Sequence, residues 1–182
     1  MERQFNILMV GGNARKSGKT TIICRLLERY GTELSISAVK AALYDDQEVF
    51  REHYPRAYGK GYLELKETDS LVRKDSGKYL RAGALESWFL AAVKKNEDRM
   101  IRRISEIANR GGLMIIESNA LRNSIHPGIF IMVNNRSKEE KYSASSVSDY
   151  ADLNMETGGE IFDNIEDYID IKNNIWNLNK TL

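Results

Sequence analysis

The sequence feature that most constrains the fold is a glycine loop between a predicted strand and a predicted helix. Residues 12–20 read GNARKSGKT, and they follow the apolar run FNILMV at 5–10. The segment Lys19–Tyr30 then places its isoleucines and leucines at helical spacing, and Gly31 is a stop signal for the helix. A strand that enters a helix through a short loop is typical of β-α-β units, in which the strands run parallel.

The loop also has the composition of a phosphate-binding site. Backbone N–H groups of a glycine-rich turn at a helix N-terminus point inward and carry partial positive charge. Lys19 is placed to reach the terminal phosphates of a nucleoside triphosphate, and the Thr20 hydroxyl is placed to ligate Mg²⁺. The residues expected to bind the nucleotide are Gly12, Asn13, Ala14, Arg15, Lys16, Ser17, Gly18, Lys19, Thr20 and Thr21.

One position of the loop departs from the common pattern G-x-x-x-x-G-K-[ST]. That pattern needs glycine at position 13, where this chain has Asn13, and Gly12 makes the spacing one residue longer. Asparagine adopts left-handed backbone more readily than most residues, so we expect Asn13 to preserve the turn. The longer spacing resembles the loop of dethiobiotin synthetases and of the group that includes signal-recognition GTPases and partitioning ATPases.

The basic residues of the loop leave two interpretations open. Related ATPases have a lysine near the start of the loop that crosses a dimer interface, and the matching position here is Ala14. Arg15 and Lys16 add positive charge at the crown of the loop. They are either solvated charges, or they contact phosphate or a partner subunit.

The rest of the chain alternates short apolar runs with amphipathic stretches, which predicts an α/β fold with a mostly parallel sheet. Further strands are predicted at 35–40, 87–92, Leu113–Glu117 and 129–134, and further helices at 97–110 and 160–176. The expected architecture is a three-layer P-loop NTPase fold with helices flanking the central sheet. The 182 residues are enough for a single domain with a substantial core.

Two segments show no clear periodicity. Residues 44–73 are polar and tyrosine-rich, and a connection of this length in a small domain is usually functional. We expect an insertion-like loop there that faces a substrate. Residues 136–150 have the serine and charge content of a solvated loop.

Composition and charge indicate which classes of partner and which cellular compartment to expect. The 27 basic and 26 acidic side chains give a formal net charge of +1, which gives no indication of a nucleic-acid partner. No apolar run approaches the roughly 18 residues of a membrane span, so no membrane partner is expected. Cys24 is the single cysteine and cannot form an internal disulfide, and no segment has the order of a signal peptide. We expect a cytoplasmic protein.

Three further stretches carry a family resemblance. They are AVKAALYDD at 38–46, KDSGKYLRAGA at 74–84 and LMIIESNA at 113–120. Their order resembles the MobB-like family, the nucleotide-binding proteins of molybdopterin-guanine dinucleotide biosynthesis, over residues 5–135. That family has a lysine closing the second strand, a K-D-S segment and an apolar strand that ends in glutamate. Its strand-end E-G is Glu117-Ser118 here, and Ala41-Ala42-Leu43-Tyr44 replaces its histidine-rich stretch.

The ends of predicted elements supply the other candidate residues. Lys40 closes the second strand beside the loop and resembles the strand-end lysine of dethiobiotin synthetases, where it neutralises a phosphate or orients a carboxyl substrate. A salt bridge or simple solvent exposure is the alternative. Glu117 ends an apolar strand, where a carboxylate can hold Mg²⁺. Asp75 is either a helix N-cap or a Mg²⁺ contact. Asn134 can pair with either purine edge, which leaves ATP or GTP open.

Three functions remain open at this stage. The resemblance implies a Mg²⁺-dependent P-loop protein that hydrolyses ATP or GTP slowly and assists cofactor biosynthesis with a partner protein; homodimers are common in its group. Lys19, Lys40 and Glu117 are its candidate catalytic residues. The second is an ATP-dependent ligase or kinase that acts on a small molecule, with Lys40 and residues 44–73 forming the acceptor pocket. The third is a nucleotide-dependent adaptor with negligible turnover.

Overall fold

Seven strands of one sheet form the centre of the structure, a computed structural model that describes residues 2–139 and 142–179. The strands are β1 Gln4–Gly12, β2 Ile36–Tyr44, β3 Tyr62–Glu67, β4 Glu86–Val93, β5 Leu113–Glu117, β6 Pro127–Asn134 and β7 Leu153–Glu156. Their order across the sheet is β3-β4-β2-β5-β1-β6-β7. Neighbouring strands are parallel except β3 and β4, which are antiparallel.

Helices follow most of the strands along the chain. They are α1 Lys19–Tyr30, α2 Gln47–His53, α3 Asp75–Arg81, α4 Glu97–Ala108, α5 Tyr142–Ser145, α6 Glu160–Asp163 and α7 Ile165–Tyr168. Two short strands, β8 Ile169–Lys172 and β9 Ile175–Leu178, form a separate antiparallel hairpin. Within residues 2–139 and 142–179, no helix is long and apolar enough to cross a membrane.

The two largest hydrophobic clusters lie one on each face of the sheet, and a third, small cluster contains Phe50, Ala91 and Val93. In β1, Leu8 and Val10 pack in the cluster that contains α1, whereas Ile7 and Met9 pack in the cluster that contains α4. The reason is that successive side chains of a strand point to opposite faces. The first cluster also contains residues of α3 and α7, and the second contains Ala144 of α5. The predicted three-layer α/β architecture with a mostly parallel sheet is therefore confirmed.

The predicted strands and helices around the glycine loop are confirmed with small shifts at their ends. The bounds of α1 and β5 are those predicted from the sequence. β2 continues to Tyr44, four residues beyond the predicted end at Lys40. Helix α4 ends at Ala108 rather than at residue 110. The added residues 41–44 are two alanines, a leucine and a tyrosine, and most of them are only partly buried. Such a segment lacks the continuous apolar run that predicts a buried strand.

The insertion-like loop predicted at 44–73 is instead built largely of regular elements, namely α2, a 3-10 helix at Pro55–Lys60 and β3. That this segment faces a substrate stays a prediction. Asp46 caps α2 by accepting hydrogen bonds from the N–H groups of Glu48 and Val49, and Phe50 on that helix is fully buried. The chain then returns as β3 along the edge of the sheet. A seven-residue helix with one buried side chain and a half-exposed edge strand show little periodicity, so neither was visible in the sequence.

The segment 136–150 is also more ordered than predicted where it is described, outside residues 140 and 141. It contains α5 and a single 3-10 turn at Ser148–Tyr150. Ala144 and Val147 are fully buried against the second hydrophobic cluster. β7, which follows this segment and pairs with β6, was not predicted.

The predicted helix at 160–176 is wrong. After α6 and α7, Ile169 and Ile171 alternate with Asp170 and Lys172 as in a strand, and residues 173–174 turn the chain back. Both asparagines of this turn have φ 55°. Two consecutive residues with positive φ are the requirement of a type I′ hairpin, for which asparagine is a favoured residue. The local turn therefore overrides the apolar spacing that suggested a helix.

Trp176 provides a test of this hairpin. Its side chain is 2% exposed, its indole N–H donates to the Asn6 carbonyl at 3.1 Å, and its ring makes an edge contact with Tyr30. We expect Trp176→Ala to lower the free energy of unfolding by about 3–5 kcal/mol, because a large buried ring is removed. Urea denaturation measures the change.

The neighbouring residue is the control. Ile175 is 36% exposed, so Ile175→Ala is expected to change the free energy of unfolding by about 0.5 kcal/mol or less. Equal losses for the two variants would contradict the packing of β9.

Candidate functional site

The carboxyl ends of three neighbouring strands bring several of the predicted residues together. β5 lies between β1 and β2, and its last residue, Glu117, is in register with Val10 on one side and with Lys40 on the other. The glycine loop begins where β1 ends. This edge of an open parallel sheet is where ligands bind in α/β proteins.

Two glycines are required by the shape of the loop. Gly18 has φ 96°, and a Cβ there would lie 2.6 Å from the Phe162 ring. A Cβ at Gly12 would lie 2.3 Å from Ser17 Oγ and 2.9 Å from the Val133 carbonyl oxygen. Neither position can hold a side chain without displacing its neighbours. Gly18 is also the N-cap of α1, so this helix begins without a capping side chain.

Asn13 was expected to preserve the turn by adopting left-handed backbone, and this expectation is wrong. Left-handed backbone occurs in the loop at Lys16, with φ 62°, and at Gly18, but not at Asn13. The Asn13 side chain is buried and pairs with the backbone of Asn135. Its Nδ2 donates to the Asn135 carbonyl at 3.0 Å, and its Oδ1 accepts from the Asn135 N–H at 2.9 Å. Asn13 therefore anchors the loop to the end of β6, which a glycine cannot do.

Two other residues hold the loop from different sides. Asn119, two residues after β5, accepts from the Gly12 N–H at 2.8 Å and donates to the Gly12 carbonyl at 2.9 Å. Thr157, directly after β7, donates its hydroxyl to the Ser17 carbonyl at 2.7 Å. With Asn13, these contacts fix the loop to three strands of the sheet.

Lys19 lies across the loop. Its ammonium donates to the Ala14 carbonyl at 2.9 Å and to Ser17 Oγ at 3.2 Å. Thr20 is the second residue of α1 and is half-buried, whereas Thr21 is exposed. The ammonium and the start of α1 thus meet at the same loop, which is the arrangement that phosphate binding needs.

The crown of the loop divides into buried and exposed residues. Ala14 and Ser17 are buried. Arg15 and Lys16 are exposed. Their contact with phosphate or with a partner subunit stays a prediction.

Lys40 is the centre of a charged cluster. Its ammonium donates to Asp75 Oδ2 and lies 3.4 Å from Glu117 Oε1. Lys78 Nζ pairs with Asp75 Oδ1 at 3.0 Å, and the Tyr79 hydroxyl donates to Glu117 Oε2. Of the interpretations open for Lys40, the salt bridge is present in the structure. Its contact with phosphate or substrate stays a prediction.

The charges of this cluster stabilise one another. Burial lowers the pKa of Lys40, but the charge of Glu117 and the bond to Asp75 outweigh it, and the pKa is raised. Burial raises the pKa of Asp75, but the bonds and charges of Lys40 and Lys78 outweigh it, and the pKa is lowered. Burial and the Glu117 carboxylate raise the pKa of Tyr79 well above its ordinary value. At neutral pH, Lys40 is a cation, Asp75 an anion and Tyr79 a neutral donor.

Asp75 is not the N-cap of its helix. The cap position belongs to Lys74, which makes no capping side-chain bond, and Asp75 is the first residue of α3. Its carboxylate is directed to Lys40 and Lys78 instead. The N-cap interpretation is therefore wrong, and the Mg²⁺ contact stays a prediction.

The candidate Mg²⁺ ligands have suitable chemistry but form no dense cluster. In the described ranges, no three His, Cys, Asp or Glu side chains come together as a metal site. Glu117 is 6% exposed, and both its oxygens accept hydrogen bonds, from Lys40 and Tyr79. Mg²⁺ in nucleotide sites is usually held by one or two carboxylate or hydroxyl oxygens together with the phosphates. Thr20 and Glu117 carry oxygens of this kind, and their binding of Mg²⁺ stays a prediction.

Asn134 lies on a separate cleft next to the loop. The cleft is open, has a volume of about 330 Å³, and is lined by Asn134 at the end of β6, by residues 154–156 of β7 and by residues 159–161 after it. Thr157 connects the cleft to the loop. Its hydroxyl donates to the Ser17 carbonyl of the loop, and its N–H donates to the carbonyl of Asn134 at 2.9 Å. A ligand bound along the loop therefore has a concave surface beside it.

Comparison of the chain with protein-family models, with curated proteins and with solved structures finds no match in any of the three.

Sequence reasoning did not single out Tyr79 or Thr157 as site residues. Tyr79 follows Asp75 by four residues, so a helix there places both on one face, and that spacing was the available signal. Thr157 follows a strand that was not predicted, and its contact with Ser17 spans 140 positions of sequence. No local pattern indicates such a contact.

The anchor made by Asn13 gives a direct test. Asn13→Gly restores the common loop pattern in the sequence, yet it removes two hydrogen bonds to the backbone of Asn135. We expect this variant to lower the free energy of unfolding by about 1–3 kcal/mol, since buried polar groups lose their partners. Urea denaturation measures the loss.

Arg15→Gly is the matched control, because it introduces the same residue at an exposed position of the same loop. Its expected cost is about 1 kcal/mol or less, from added freedom of the unfolded chain. An Asn13→Gly protein as stable as wild type would show that the amide pair contributes nothing.

Proposed function

We propose that this protein binds a nucleoside triphosphate with Mg²⁺ in the cytoplasm and hydrolyses its terminal phosphate bond slowly. The observation that carries the proposal is the glycine loop at the start of α1, with the Lys19 ammonium lying across it. The phosphates replace Ala14 and Ser17 as partners of this ammonium. The Ala14 and Ser17 acceptors are oxygens, as the phosphate acceptors are.

The start of α1 supports anion binding in a second way. The helix has 12 residues, its N-cap is Gly18 without a capping side chain, and its first turn contains no acidic residue. The first N–H groups of a helix have no intrahelical partner, and the helix dipole is positive at this end. A phosphate satisfies both requirements.

The neighbouring strand end supplies the groups for hydrolysis. Thr20 and Glu117 would hold Mg²⁺, which would supply positive charge at the phosphate oxygens. Lys40 adds a positive charge beside Glu117. Because both oxygens of Glu117 are already hydrogen-bonded, the carboxylate is a fixed ligand rather than a free base. This supports slow turnover.

The cleft next to the loop supports a nucleotide over inorganic phosphate. Asn134 lines it, and a side-chain amide can donate to and accept from a purine edge. Both ATP and GTP are therefore substrates to test. The resemblance to MobB-like proteins supports a role in the biosynthesis of molybdenum cofactor, with a partner protein that raises the hydrolysis rate.

The decisive test is nucleotide binding by wild type and by Lys19→Ala. Calorimetric titration with ATP and with GTP, each with Mg²⁺, should detect binding of at least one of them by wild type. Lys19→Ala should weaken it by about tenfold to a hundredfold, since a hydrogen bond to a charged group contributes about 1.5–3 kcal/mol.

Lys172→Ala removes an exposed lysine of the C-terminal hairpin and is expected to bind like wild type. Binding of neither nucleotide by wild type would overturn the proposal. Phosphate release into water supports the hydrolase, whereas transfer of phosphate to a small carboxylate would point to a ligase or kinase instead.

A further inference from the structure

The Glu117 carboxylate is held at both oxygens by groups from two different elements. Lys40 of β2 lies 3.4 Å from Oε1, and the Tyr79 hydroxyl of α3 donates to Oε2. The last torsion of a glutamate side chain is broad when nothing restrains it. Two donors on opposite oxygens leave the carboxylate with one orientation.

Strand alternation explains how Tyr79 reaches this carboxylate. In β5, Leu113 and Ile115 belong to the hydrophobic cluster that contains α1 and Tyr79, so Glu117 lies on the same face two residues later. The Tyr79 side chain is fully buried in that cluster. Its ring therefore belongs to the core, while its hydroxyl ends at the carboxyl edge of the sheet.

The Tyr79 hydroxyl acts as a hydrogen-bond donor to Glu117. Burial and the nearby Glu117 carboxylate raise the pKa of Tyr79 well above its ordinary value, so the phenol keeps its proton. A hydrogen bond from a hydroxyl to a buried carboxylate is stronger than one between neutral groups. The Tyr79 hydroxyl therefore restrains the orientation of the Glu117 carboxylate.

Helix α3 contacts the Lys40–Glu117 pair through two side chains. Asp75 and Tyr79 are four residues apart and lie on one face of the helix. Asp75 binds Lys40, and Tyr79 binds Glu117. The helix thus fixes both members of the Lys40–Glu117 pair relative to each other.

We propose that Tyr79 is a positioning residue, which orients the Glu117 carboxylate for the Mg²⁺–nucleotide complex through its hydroxyl. This inference rests on the proposed function and deepens it. Groups that orient a metal ligand act on metal affinity through the ligand alone. The loss of the Tyr79 hydroxyl should therefore change the dependence of binding on Mg²⁺, and not the contacts between the loop and the phosphates.

The test uses the full chain and four variants: Tyr79→Phe, Glu117→Gln, the double variant, and Tyr30→Phe. Each is titrated with Mg²⁺ in the presence of whichever triphosphate, ATP or GTP, wild type binds, supplied as its fluorescent N-methylanthraniloyl derivative. Affinity for the same nucleotide is also measured in EDTA. Tyr30→Phe is the matched control, because it removes a tyrosine hydroxyl that donates to the Ile169 carbonyl at 2.6 Å, outside the site.

Tyr79→Phe is expected to raise the half-saturating Mg²⁺ concentration about tenfold, the lower end of the usual effect of removing such a partner. Its affinity in EDTA should stay within about twofold of wild type. In the Glu117→Gln background, the same substitution should change the half-saturating concentration by less than about twofold, because its target is already altered. Tyr30→Phe should match wild type in both measurements.

Three results would overturn the inference while nucleotide binding itself remains. The first is a Tyr79→Phe protein that is less stable to urea but unchanged in Mg²⁺ dependence, since that identifies a structural hydroxyl only. The second is the same Mg²⁺ effect with and without Glu117. The third is a wild type that binds nucleotide equally with Mg²⁺ and in EDTA, which leaves nucleotide binding intact. A wild type that binds no nucleotide in either condition overturns the proposed function and this inference together.

Discussion

The parallel pairing of β1 with both β5 and β6 is the constraint on which the rest of the structure depends. It places β1 inside the sheet, so that the chain leaves the strand among the carboxyl ends of its neighbours. The loop that follows can then be bonded from β5 by Asn119, from β6 through Asn13, and from the end of β7 by Thr157. The charged cluster of Lys40 and Glu117 lies at the same edge for the same reason.

The part of the fold around the loop was readable because its signals are local. The run FNILMV, the glycines and the spacing of Ile22, Ile23, Leu26 and Leu27 each act within a few residues, and they gave β1 and α1 nearly as observed. Glu117 was also readable, since a polar residue at the end of an apolar strand stands out. Lys40 was recognised as well, although β2 continues four residues beyond it to Tyr44. The sequence therefore predicted two of the residues that form the charged cluster.

What could not be predicted depends on contacts between distant residues or on a turn that competes with a helix. The Asn13 side chain was assigned a backbone role because its partner, Asn135, is 122 positions away. Residues 173–174 carried a hairpin signal, but the isoleucines around them matched helical spacing as well. In 44–73, Phe50 is the one buried residue of α2, which is too little for a periodic pattern.

The anchoring of the loop has a consequence for the order in which the protein matures during synthesis. The loop leaves the ribosome before Asn135, Thr157 and Phe162, which shape or hold it and are translated more than a hundred residues later. A nascent chain that ends before Asn135 contains the full glycine motif but lacks the residues that define the shape of the loop. The loop therefore acquires its final shape only after residues 135–162 have been made.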